Sequence, residues 1–142
     1  MKNLFTAITT LFTAAPGGVN NDFYDDIGGR LFEGQAPEGA EYPYAVMRLI
    51  SDVPEDTFKD SIEDVQIQFS LYSSASSTGE IHDMFTDLKK LFDDCSLTIT
   101  SNSLIWMRRL QANLMPEEHT TPEGTQKVWH YAVDYSIMMQ KT

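Results

Sequence analysis

Cysteine is almost missing from this chain. Cys95 stands alone, so no disulfide can form within it, and such usage fits a reducing compartment. A lone thiol with no basic neighbour to activate it reads as a small buried hydrophobe near a helix end. Histidine is scarce as well: His82, His119 and His130 are the whole set, and none stands beside another His or a Cys at metal-ligand spacing. Positive charge is outnumbered, with 10 Lys and Arg against 21 Asp and Glu and a net charge of −11. No basic run exceeds two residues, as at Arg108-Arg109, which excludes tight sequence-specific binding of nucleic acid through counterion release. Long apolar runs are also absent, so no segment reads as a membrane span. The opening MKNLFTAITTLFTAAPGG has the outline of a signal peptide. However, Asn3 and the threonines interrupt its apolar run, and the apolar positions fall instead on a helical stripe.

The motifs of chemistry are missing too. GGVNN and IGGR lack the strand–turn–helix setting and the lysine of a phosphate loop, and no serine sits in G-x-S-x-G. The acidic pairs Asp25-Asp26, Glu63-Asp64, Asp93-Asp94 and Glu117-Glu118 are adjacent in sequence, which points their carboxylates apart on helix or strand. The loop DVPEDTFKD lacks the glycine and spacing of a calcium loop. His82 is expected on the polar side of a helix, His119 in a loop, and His130 on the solvated outer face of the last strand. Catalytic, cofactor and metal residues are therefore expected to be none.

What is present suits one domain over residues 1–142, with 42% apolar residues to build a core. Leu4, Phe5, Ile8, Leu11 and Phe12 recur at helical spacing, and Pro16-Gly17-Gly18 should stop that helix. Phe23, Tyr24 and Ile27 suit a short second helix. GGRLFEGQAPEGAEYPYAV follows, in which Gly28-Gly29 open backbone angles closed to other residues, RLFEG suits an edge strand, and a strand runs from Tyr44 to Ile50. The cleanest alternation is Val65, Ile67, Phe69 and Leu71 against Gln66, Gln68, Ser70 and Tyr72, a half-buried strand. Ser77 and Glu80 have capping-box spacing ahead of a helix carrying Ile81, Met84, Phe85, Leu88, Leu91 and Phe92 on one face. Burying each of those six is worth about 1.5–3 kcal/mol before chain entropy is subtracted. Asp93-Asp94 at its tail oppose the helix dipole. SLIWMRRLQANL reads as a central strand. VWHYAVDYSIMM places Trp129, Tyr131, Val133, Tyr135, Ile137 and Met139 on one face. Residues 116–125 read as a turn-rich linker.

This order predicts an α+β fold: a mostly antiparallel sheet of about five strands, with the N-terminal helix and the central amphipathic helix on one face. Apolar residues on both faces of several strands (Leu104 and Trp106, Met47 and Leu49, Val128 and Met138) leave two coverings open, a helix on each face or a further subunit. Loops 52–60 and 116–125 are expected to project. The interface candidates are Phe58, Arg108, Arg109, Glu117, Glu118 and His119, with the two arginines pairing across subunits and one of them facing inward.

GGRLFEGQAPEGAEYPYAVMRLISD, DVQIQFSLYSS with the helix EIHDMFTDLKKLFDD, and VWHYAVDYSIMM together resemble the tail-terminator (tail-completion) proteins of long-tailed bacteriophages. The resemblance spans nearly the whole chain, is most distinctive over GRLFEGQAPEGAEYPYAV, and carries nothing over residues 116–125. It implies a structural virion protein of the tail or neck, assembled in the host cytoplasm and forming a homo-hexameric ring. That ring would cap the completed tail tube, end tube polymerisation and meet a head-side connector protein. Neither catalysis nor a cofactor is implied, and neither is a membrane; DNA would pass through the ring. Two other readings stay open: a head-completion or neck connector protein, and a small cytoplasmic ligand-binding or enzymatic domain.

Overall fold

A computed structural model describes residues 1–14 and 21–142. The elements run α1 (Lys2–Thr13), α2 (Asp22–Asp26), β1 (Leu31–Glu33), β2 (Tyr44–Pro54), β3 (Ile62–Ser73), α3 (Gly79–Phe92), β4 (Thr98–Ile99), β5 (Asn102–Thr121) and β6 (Gly124–Lys141). The strands form one sheet in the order β1-β2-β3-β6-β5-β4. All neighbours are antiparallel except β1, which lies parallel to β2. The α+β reading holds, with a two-residue β4 making the sixth strand. Pro16-Gly17-Gly18, expected to stop α1, and most of GGVNN lie outside the described residues; Ala14 has already left the helix with extended angles.

The alternations expected from the sequence set the layers. Ala45, Met47, Val65, Ile67, Phe69, Leu71, Val133, Tyr135, Ile137 and Met139 form one buried sheet face. Against it lie Leu4, Ile8 and Phe12 of α1, Phe23 of α2, and Ile81, Met84, Leu88, Leu91 and Phe92 of α3. Phe92 stacks on Phe69 at 4.8 Å between ring centroids, and Tyr135 meets Phe69 edge-on at 5.6 Å. Trp129 and Tyr131 also turn to this layer, half-buried, so the aromatic stripe of β6 is core.

Two helix-end features depart from the sequence reading. The Ser77–Glu80 capping box does not form; Thr78 is the N-cap, without a side-chain cap bond. The Glu80 carboxylate instead accepts the Ser73 hydroxyl at 2.6 Å, a buried serine at the end of β3 that outcompetes the backbone donor. Asp93 at the C-cap, opposed by the helix dipole, accepts the Tyr135 hydroxyl at 2.6 Å and the Arg109 guanidinium at 3.2 Å. Those charge-assisted bonds outweigh a dipole penalty of a few tenths of a kcal/mol.

Both sheet margins are largely open. β1 covers only Ala45–Met47 of β2, and β4 covers only Asn102 and Ser103 of β5. Three bulges fall on these two marginal strands, at Ile50, Ile105 and Leu110, where the register steps past one residue. Each bulged residue is large, apolar and exposed, at 49%, 44% and 55%. A bulge takes its side chain out of the alternation of the sheet, which is how these three escape the core.

Candidate functional site

The helix-free face of the sheet carries a cluster built by the far end of the β5–β6 hairpin. Residues 116–121, expected as linker, are strand: β5 pairs with β6 without a break from Gln111↔Asp134 to Thr121↔Gly124. Pro116 is tolerated because β5 is a marginal strand there and needs no N–H on that side. Glu117 and His119 therefore alternate onto the helix-free face, as does His130 from β6.

The hairpin end curls over this face toward the start of β2. The Tyr42 hydroxyl donates to His119 Nδ1 at 2.7 Å, across 77 residues of sequence. His119 Nε2 lies 3.1 Å from one oxygen of Glu117, and His130 Nδ1 lies 2.6 Å from the other. With both rings neutral, each imidazole N–H donates to the carboxylate, and His119 keeps Nδ1 free to accept from Tyr42. The His130 ring stacks on Tyr72 at 4.5 Å, and Tyr44 lies 5.0 Å from Tyr72. Burial disfavours the Glu117 charge, but the hydrogen bonds of His130 and His119 outweigh it and hold the carboxyl below its usual range. Burial pushes the hydroxyls of Tyr42, Tyr44 and Tyr72 up, so they remain donors. Further along this face Asp134, itself buried, accepts the amides of Gln68 at 2.9 Å and Gln111 at 2.8 Å. Among the described residues no serine, threonine or cysteine side chain is hydrogen-bonded to either imidazole. The arrangement ties the hairpin to β2 and β3.

His119 and His130 thus correct the sequence reading: His119 lies in a strand, and His130 is only 7% exposed. His82 is exposed on α3, as expected. The one signal for the cluster is parity. Glu117 and His119 share a face if the strand continues through Pro116, and His130 is opposite Met115 in the hairpin register.

The interface candidates fall in three places. Phe58 is fully exposed at the tip of the β2–β3 hairpin. Arg108 lies over the Trp106 ring at 4.2 Å, while Arg109 is bound to Asp93 within its own chain. Adjacent strand positions send these two arginines to opposite faces, yet neither is buried. Glu117, Glu118 and His119 sit together near the end of the β5–β6 hairpin. There a half-open cavity of about 650 Å³ is lined by Ala75, Ser76, Pro116, Glu118, Lys127 and Trp129 among others. Phe58 and this cavity lie at opposite ends of β3.

Cys95 is half-buried, and burial pushes its thiol up to about 11, leaving little thiolate at neutral pH. Among the described residues no group of three or more His, Cys, Asp or Glu is placed to hold a metal ion. No helix among them is long and apolar enough to cross a membrane.

No curated protein matches the chain in sequence. A solved structure described as the virion of a native gene transfer agent particle contains a similar fold. It has a TM-score of 0.70 and 10% identity, covering 96% of this chain and 94% of that one. At that identity the likeness speaks for the fold. The family model described as tail completion protein gp17 matches residues 26–140. A domain with a clamped hairpin, open sheet margins and that match over most of its length belongs to the tail completion protein gp17 family, as a structural protein of the phage tail.

Proposed function

We propose that the chain closes a homo-hexameric ring on the end of the completed tail tube, stops further tube growth and presents the surface that joins the head-side connector. The observation that carries this reading is the pair of open margins on β2 and β5, each bearing exposed bulged residues, Ile50 on one and Ile105 and Leu110 on the other. Unpaired strand edges invite another chain, and two different edges on one molecule give a contact that repeats from copy to copy. Such a heterologous contact closes into a ring when its rotation divides the circle. The net charge of −11 on each copy favours passage of DNA without adhesion. The reaction chemistry of an enzyme has no part in this role.

The test is electron microscopy of tails assembled without this protein. Tubes of uncontrolled length that lack heads are expected. Tubes of normal length joined to heads would overturn the reading. So would purified protein that stays monomeric when mixed with tail tubes.

A further inference from the structure

Phe58 is 110% exposed, while the next most exposed large apolar side chain, Leu110, reaches 55%. The turn that carries it is built. The Glu55 N–H donates to the Ile62 carbonyl at 2.8 Å, and the Thr57 N–H donates to the Asp60 carbonyl at 2.9 Å. Asp60 N–H donates back to the Thr57 hydroxyl, and Ile62 N–H to the Asp56 carboxylate. Four bonds thus fix the hairpin tip around one outward aromatic ring, at a cost in apolar exposure that folding alone does not explain.

The cavity near Trp129 lies at the other end of β3. That strand has 12 residues, so the knob and the hollow are separated by roughly 40 Å at about 3.4 Å per residue. A copy cannot fill its own hollow. The hollow is walled by Trp129, Pro116 and Ala75, with Ser74, Ser76 and Gln126 beside them, a seat of ample volume for a phenylalanine ring. Its rim carries Glu118 and Lys127, directly opposite each other on β5 and β6. Lys127 is in none of the ion pairs among the described residues. The tip carries the complementary set: Lys59 beside Phe58, with Asp56 and Asp60 around it. Each sign at the rim has its opposite at the tip.

We propose that Phe58 of one copy seats in the Trp129 cavity of the next copy, with Lys127 facing Asp56 and Asp60 and Lys59 facing Glu118. The inference rests on the ring reading above and names a contact that holds the ring together. Knob and hollow are different patches, so the contact is head-to-tail and every copy uses both.

The test has two arms. In a Cys95→Ser background, chains carrying Lys59→Cys, which keep the Phe58 ring, and chains carrying Ser76→Cys are mixed and oxidised with diamide. The mixed disulfide dimer is expected to form more than about tenfold faster than the pair Lys59→Cys with Thr10→Cys, because docking raises the effective thiol concentration. Separately, Phe58→Ala and the cavity-filling Ala75→Trp are each expected to weaken self-association by about tenfold or more, with the monomer melting temperature within a few degrees of wild type. Rings that form from Phe58→Ala as readily as from wild type, without preferential cross-linking, would overturn this contact and leave the ring reading standing. Wild-type chains that never associate, even on tubes, would overturn both.

Discussion

Gly28 and Gly29 turn the chain from α2 into β1 with φ of +55° and +75°. A Cβ on Gly29 would stand 2.9 Å from the Tyr24 hydroxyl, and Tyr24 is held against Phe12 at 5.1 Å. Gly29→Ala should therefore cost about 1–3 kcal/mol, from the backbone angle and the displaced tyrosine, read as a lower urea midpoint at unchanged slope. This glycine pair was legible because its need is local. Asp26, three residues upstream, was not. It meets Asp87, from α3, and burial together with the Asp87 bond and charge pushes its carboxyl up to about 8. The sign follows from proton binding. The folded state holds this proton more tightly than the unfolded chain, whose ordinary value is 3.8, so stability falls as pH rises from about 4 to about 8. Asp26→Asn keeps a donor toward Asp87 and cannot ionise. Its melting temperature should match wild type near pH 4 and exceed it increasingly up to pH 8–9; equal melting curves across that range would show that Asp26 is not carrying the strain.

The β5–β6 hairpin marks the limit of reading elements one at a time. The alternation on β3 and β6 and the apolar stripe of α3 were plain in the sequence, since each repeats every second or every third and fourth residue over several turns or strand pairs. Residues 116–121 were not, because Pro116, Glu117 and Glu118 resemble loop composition and only the partner strand makes them sheet. The two faces of adjacent histidine-bearing strands, and the reach of Tyr42, exist only after the hairpin curls. The expected cross-subunit role of Arg109 likewise met a partner from a distant helix end, Asp93. Glu117 is the joint of this element. Its carboxyl is held below the usual value of 4.5, so the stability it contributes is complete above that pH and is lost as pH falls through the lowered value. Glu117→Gln should cost about 1–3 kcal/mol near pH 7, since one imidazole N–H loses its ionic acceptor. The difference from wild type should shrink as pH falls below 4.5 and through the lowered value. Hydrogen exchange of the β5 and β6 amides beyond Pro116 should rise in the same variant while β3 stays protected, which separates a loosened hairpin from global unfolding.

At the scale of the whole molecule, charge and shape pull against each other. Each copy carries −11, and copies brought side by side repel over the Debye length, roughly 10 Å at 0.1 M salt and 3 Å at 1 M. The open margins of β2 and β5, the bulged Ile50, Ile105 and Leu110, and the Phe58 tip attract through backbone pairing and apolar burial, which salt does not screen. The few complementary pairs at the tip and the rim are exposed, and exposed pairs contribute about 0–1 kcal/mol each. Repulsion summed over the whole surface is therefore the larger salt-sensitive contribution, and screening it should favour association. Sedimentation of the purified chain at 0.05 M and 0.5 M sodium chloride should show a shift from monomer toward the assembled species at the higher salt, at constant protein concentration. Dissociation at high salt would mean that specific ion pairs, and not backbone edges and apolar contacts, hold the copies together, and the contact surfaces would then have to be sought among the charged side chains.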